Sequence, residues 1–341
     1  MKADRAWRLG LGALVAAVLL FFFLRGVAWR EVWAAMRSAD RTDLGLVLVS
    51  TVFVYVFRAW RWGYLLAPLA RVPFPRLLSA TVVGFMTGLV VPRAGEVVRP
   101  YLVSRRHAVS ASAGFATIIL ERLVDLITVL SLFFLYLYVL PMPAAQTRGP
   151  LIGVLKAAGG LAVLGALGVL GVLFAFHVHA EKATALFDRL FARLPAKVGG
   201  PLSALLRAFG EGLAVLQAPP LHLLAILGQS VLVWMAIGTS IYLNNRAFGI
   251  ALPFHSSFLM MGFLTVGVAV PTPGMVGGFH EAFLLALTQA FGVDKGTAAA
   301  AGITMHALSN LPVLVGGLAL LPTEGLTLGR VADMTDKDGE P

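Results

Sequence analysis

Residues 84–99 read GFMTGLVVPRAGEVVR. Up to Val91 this is an apolar helical run. Pro92 ends it, because proline lacks an N–H and restricts the residue before it. Arg93, Gly95, Glu96 and Arg99 follow at once. Ionised side chains at the end of a membrane-grade run cost roughly 2.5–3.5 kcal/mol each, so they persist only facing protein, opposite charge or a wet cavity. The same grammar returns at residues 262–281, GFLTVGVAVPTPGMVGGFHE. Both copies run from Gly-Phe-x-Thr through a proline to glycine and a glutamate, Glu96 or Glu281. Two broken apolar segments in corresponding parts of a chain point to a transporter binding site.

Composition sets the class. The chain has 341 residues, 58% hydrophobic and 13% charged, with a mean hydropathy of +0.85. That is about half the charge fraction of a soluble domain. Several apolar runs of about 18 residues or more predict an all-α polytopic membrane protein. Zero cysteines exclude disulfides, iron–sulfur clusters, thiolate zinc and cysteine nucleophiles. The formal charge of +10 has no solvated basic domain to carry it, so basic membrane flanks and an anionic lipid partner explain it better than nucleic acid. No catalytic triad spacing, HExxH, P-loop or paired-aspartate metal motif is present, and neither cofactor nor metal is expected.

In chain order, full spans are expected over about 7–24, 42–66, 110–140, 151–176, 221–243 and 298–321. Re-entrant hairpins are expected over 77–103 and 254–291. The link 25–41 suits an interfacial helix through Trp29 and Trp33. Residues 180–216 alternate Phe187, Leu190, Phe191 and Leu194 with Lys182, Arg189, Arg193 and Lys197, an amphipathic cytoplasmic insert. Residues 1–325 then form one integral domain with a disordered tail over 326–341. Three crossings between the hairpins make them enter from opposite sides, so 42–140 and 221–321 read as an inverted repeat. A cytoplasmic N-terminus places Arg71, Arg76, Arg105, Arg106 and the basic insert inside, with the four arginines of 25–41 as the exception.

The candidate site follows from this grammar. Arg93 and Arg99 offer planar forks for phosphate. Gly95, Gly274, Gly277 and Gly278 let a ligand approach the backbone, and a broken helix offers unpaired amides to an anion. Glu96 and Glu281 can hold those arginines, accept protons or meet a cationic headgroup. Arg58 and Arg61 share a helix face and either snorkel to the headgroups or line the same cavity. Glu121, Arg122 and Asp125 should pair with each other or with the arginines of the break, as a structural network or as substrate contacts. His280 and His306 either titrate or serve as hydrogen-bonded structural groups.

The stretches PRAGEVVR at 92–99, ERLVD at 121–125, PTPG at 271–274 followed by Glu281, and RAWRW at 58–62 carry a resemblance. Together they resemble the lysylphosphatidylglycerol synthase transmembrane, flippase-like family over about residues 8–325. The resemblance implies a membrane domain that moves lipids between leaflets. In the bifunctional multiple peptide resistance factors, that domain flips aminoacylated phosphatidylglycerol made by a fused cytosolic synthase. The family's PxRxGE element falls on Pro92, Arg93, Gly95 and Glu96, and its PTPG element on Pro271, Thr272, Pro273 and Gly274. This chain ends soon after its last expected span, so aminoacyl transfer is not expected of it. Stand-alone members resemble partners of polyisoprenoid-linked glycan pathways equally well.

The expectation is therefore a flippase or transporter of the cytoplasmic membrane. Its cargo would be an anionic or aminoacylated phospholipid, or a polyisoprenyl-phosphate-linked lipid, gripped by its phosphate-bearing headgroup. A separate synthase or glycosyltransferase is the expected protein partner. The alternatives are a membrane-embedded accessory or transferase in those pathways, and a scaffold subunit without transport.

Overall fold

The computed structural model describes residues 17–21, 23, 25, 27–92, 94–140, isolated positions between 153 and 203, 213–269 and 272–325. Most of the first expected span, the span over 151–176, the insert over 180–216 and the tail over 326–341 lie outside the described residues. Every extended element among the described residues is helical.

A short helix α1 (Trp29–Ser38) keeps Trp29 and Trp33 exposed while Val32 is buried. It lies across the start of the last helix, with Glu31 against Gly296. Helix α2 (Arg41–Leu66) starts at Asp40, whose carboxylate accepts the Asp43 N–H at 3.0 Å. Helix α3 (Phe74–Val90) stops where Pro92 forces Val91 to extended geometry. Helix α4 (Ala94–Ser104) returns, and α5 (Ala111–Tyr138) starts at the cap Ser110, which accepts the Ala113 N–H at 3.1 Å. After a short 3₁₀ turn (Leu213–Gln217) the order repeats: long α6 (Pro220–Ala247), shorter α7 (Ser256–Ala269), a 3₁₀ turn (Pro273–Met275), α8 (Gly278–Leu285) and long α9 (Lys295–Leu320). A π-turn (Ala286–Ala290) extends α8, and Asp294 caps α9 by accepting the Thr297 N–H.

Helices α2, α6 and α9 are long and apolar enough to cross a bilayer. At 1.5 Å per residue, 26 residues reach about 39 Å, against a hydrocarbon core of about 30 Å. Helix α5 is equally long, but Glu121, Arg122 and Asp125 sit mid-way along it.

The packing between the two sets of four helices is reciprocal. Helix α3 lies on α9 and α7 lies on α5, while α2 touches α9 and α6 touches α5. The most extensive contact joins α2 to α6. They run antiparallel: Asp43 meets Arg246, the Ser50 hydroxyl donates to the Ala236 carbonyl at 2.8 Å, Arg61 donates to Ser230 at 2.7 Å, and His222 meets the Tyr64 carbonyl at 3.0 Å.

Each short pair is a hairpin whose arms start and finish at one end of the bundle. Ser79, near the start of α3, donates to Glu324 at 2.6 Å, and Arg106, just after α4, pairs with the same carboxylate at 3.3 Å. Glu324 sits just beyond the end of α9. The other hairpin belongs to the opposite end. Phe254 and His255, before α7, contact Tyr242 and Tyr136 near the ends of α6 and α5. Asn244 of α6 donates to Ala301 in the first turns of α9 at 3.1 Å.

Glycine makes each hairpin close. A Cβ on Gly95 would strike the Gly84 carbonyl, and one on Gly278 would strike the Gly267 carbonyl. Gly84 to Gly95 and Gly267 to Gly278 are equal separations in the chain. The two Gly-Phe-x-Thr glycines sit differently: Gly84 packs on Arg99 and Gly95 of α4, whereas Gly262 faces the Phe133 ring of α5.

Candidate functional site

Where the two hairpin tips approach, a cavity of about 520 Å³ opens. Its walls come from both sets of helices: Phe85, Gly88 and Leu89 of α3, Gly95, Glu96 and Arg99 of α4, Arg122 of α5, Val268 and Ala269 of α7, Thr272 and Met275 of the second break, and Asn310 of α9. Most of the lining is apolar, and among the described residues its charged groups, Glu96, Arg99 and Arg122, come from α4 and α5.

Behind the wall stands a buried charge network. Arg99 makes a fork-to-fork pair with Glu121, at 2.8 and 3.0 Å. Arg122 donates to the same carboxylate at 2.5 Å and lies 3.5 Å from Asp125. Asp125 accepts from Arg61 at 2.7 Å, Arg58 at 3.3 Å and the Trp234 indole at 3.1 Å. Arg61 also reaches Ser230 at 2.7 Å, and Ser230 bonds Thr128 at 2.9 Å. Arg61 and Glu121 are fully buried, whereas the Arg122 side chain is 39% exposed. The snorkelling reading of Arg58 and Arg61 is therefore corrected. Both turn inward because Asp125 offers a carboxylate at bonding distance, which satisfies their charge without reaching the headgroups.

Phe85 sits amid the cations. The guanidiniums of Arg58, Arg99 and Arg122 lie 5.1, 5.5 and 5.9 Å from its ring centre, and Arg99 also stacks 4.4 Å over Trp62. Sequence reasoning missed Phe85, Trp62, Trp234 and Ser230, since an aromatic or a serine in an apolar helix carries no signal of its own partners.

Four arginines thus share two carboxylates, Glu121 and Asp125, and Glu96 on the cavity wall brings the carboxylates to three. The Nε atoms of Arg61, Arg99 and Arg122 find no acceptor among the described residues. Among the described residues the site is short of negative charge, and its most exposed cation, Arg122, faces the cavity.

The second break is built differently. The Thr272 hydroxyl donates to the Val276 carbonyl at 2.9 Å, and His306 Nε2 bonds the Gly274 carbonyl at 2.7 Å. Gly274, Met275 and Gly277 all have positive φ, at 60°, 58° and 86°. Of the sequence candidates, Gly95, Glu96, Arg99, Arg122 and Thr272 reach the cavity wall. Arg58, Arg61, Glu121 and Asp125 stand behind it as the charge network. Pro273 and Gly274 shape the turn, Gly277 precedes α8, and Glu281 is half-buried in the first turn of α8. Arg93 and Pro271 lie outside the described residues.

With this geometry in view, the comparisons with known proteins are decisive for family. The profile described as "Lysylphosphatidylglycerol synthase TM region" matches residues 9–317. The chain belongs to that family. It is a multi-pass membrane protein, as its long apolar helices also require. It is also similar to a protein named glycosyltransferase AglD from Haloferax volcanii, at 24% identity, covering 96% of this chain and 57% of that relative. The chain thus spans a little over half the length of the curated relative it matches.

Proposed function

We propose that this protein moves a phosphate-bearing amphiphile between the leaflets of the cytoplasmic membrane. The observation that carries the reading is the excess of arginine over carboxylate beside a mostly apolar cavity, with Arg122 at its wall. The headgroup phosphate would sit on Arg122 and Arg99, supplying the missing negative charge, while the acyl or isoprenoid chains stay in lipid. An aminoacylated or other cationic headgroup would meet Glu96.

We further infer an inverted repeat of α2–α5 and α6–α9 with two re-entrant hairpins. Reciprocal packing, hairpins belonging to opposite ends and antiparallel α2 and α6 support it, since a two-fold axis in the membrane plane turns equivalent helices antiparallel. In this reading residues 1–325 are one membrane domain and the N-terminus is cytoplasmic. Arg93 and Pro271 join the site by motif.

The test is transbilayer movement of fluorescent phosphatidylglycerol and of a polyisoprenyl phosphate in liposomes holding the purified protein. Movement of either lipid, lost in Arg122→Gln and kept in Glu281→Gln, is expected. Folded protein that moves neither lipid would refute the transporter reading. It would favour the second one, an accessory or transferase acting on polyisoprenyl-phosphate lipids, which the similarity to a named glycosyltransferase supports. In either reading a separate synthase or glycosyltransferase is the natural partner.

A further inference from the structure

The cavity chemistry leaves two imidazoles unused, one buried and one half-buried. His280 of α8 and His306 of α9 face each other with ring centres 4.5 Å apart. Phe279 packs on His306 at 5.2 Å, and Phe23 on His280 at 5.2 Å. His280 is 7% exposed, and its Nδ1 has no partner among the described residues.

The Gly274 carbonyl can only accept, so the 2.7 Å bond requires His306 to carry hydrogen on Nε2. Neutral His306 therefore keeps a bare lone pair on Nδ1, open to one proton. Two imidazoliums at this separation would repel strongly in a low-dielectric setting, so the pair holds one added proton, not two.

The proton would act on a strained turn. Met275 has φ 58°, a left-handed conformation that a non-glycine residue holds only under constraint. Two side-chain bonds restrain that turn, from Thr272 to the Val276 carbonyl and from His306 to the Gly274 carbonyl. A cationic His306 donates a stronger, charge-assisted bond than a neutral one. Thr272 and Met275 line the cavity, so a tighter or looser turn alters the wall that the cargo touches.

We propose that the His280–His306 pair is a proton-binding site whose occupancy couples a transmembrane proton gradient to movement of the cargo. This rests on the transporter reading above. Among the described residues the charged and titratable groups around the pair are few. Glu281 follows His280 on α8 and has an unpartnered, buried Oε2; Asp294 and Lys295 open α9. Lys295 donates to the Arg25 carbonyl, and Glu31 of α1 packs at Gly296. Helix α7, the Pro273–Met275 turn and the π-turn after α8 bring no ionisable side chain.

The test uses the full-length protein in liposomes with fluorescent phosphatidylglycerol and polyisoprenyl phosphate, at zero membrane potential and a pH gradient of one unit. With one proton per lipid, wild type should drive the leaflet ratio toward about tenfold. His306→Gln, which keeps a donor for Gly274 without the titration, should equilibrate the leaflets to equal occupancy, as should His280→Gln. Wild type that moves lipid but settles at equal occupancy overturns the proposal.

Should no lipid move, the transporter reading fails, and histidine NMR of the detergent-solubilised protein judges the proton site alone. A shifted His306 titration in His280→Gln supports a shared proton. An unchanged titration overturns it.

Discussion

The two breaks share a shape and differ in chemistry. The first holds a network of arginines and carboxylates behind its tip, with Arg99 and Arg122 at the cavity wall. Among the described residues the second brings no charged side chain to the wall, but apolar side chains, Thr272 and a histidine-held turn. Their hairpins nonetheless close by the same device, a glycine crossing on a glycine carbonyl. The contrast teaches that close packing of the arms fixes the hairpin, while the charge is a separate property of one half. A site for an anionic headgroup needs fixed cations on one side. The opposite wall can remain neutral and deformable.

The largest predicted effect should therefore appear at the first break. Glu121→Ala leaves three guanidiniums without their shared carboxylate and should destabilise the protein by about 3–5 kcal/mol, read as a lower melting temperature in detergent. Glu281→Gln at the second break, near-isosteric and breaking no ion pair among the described residues, should change it by less than about 1 kcal/mol. Similar losses from both would break the contrast.

The glycine crossings test what the two breaks share. Gly95→Ala and Gly278→Ala each push a methyl against a backbone carbonyl and should cost about 1–3 kcal/mol apiece. Comparable losses would confirm a common construction, and a loss confined to one would mean that only one arm is truly close-packed.

Arg122→Gln sharpens the difference in function. Its half-exposed side chain should contribute at most about 1 kcal/mol to stability, yet its loss should weaken phosphate-lipid binding about tenfold or more, measured by lipid titration. The smallest effect is expected at Met275→Gly. Relief of the left-handed strain and the added freedom of the unfolded chain oppose each other, so the melting point should correspond to a change within about 1 kcal/mol.

Much of the fold was legible in the sequence. Pro92 placed the first break to within two residues of the end of α3, and long apolar runs placed α2, α6 and α9. The charged letters of the site were equally visible, because ionisable residues inside apolar runs are conspicuous in any reading. Their assignments were not. Arg58 and Arg61 could snorkel or turn inward by spacing alone, and Asp125, sixty-odd positions away, decided between these. The Gly-Phe-x-Thr match is a likeness of local sequence, whereas the glycine crossings are set by where two helices meet.

The sequence by itself determined what is local or additive: membrane class, broken segments, caps, and which residues carry charge. Hydropathy sums over a run, and a proline acts on its own neighbours. Only the tertiary structure decided which carboxylate answers which arginine, that Phe85 sits among three cations, and that His280 and His306 face each other. Those pairings depend on distances between helices far apart in the chain, and no local pattern encodes them.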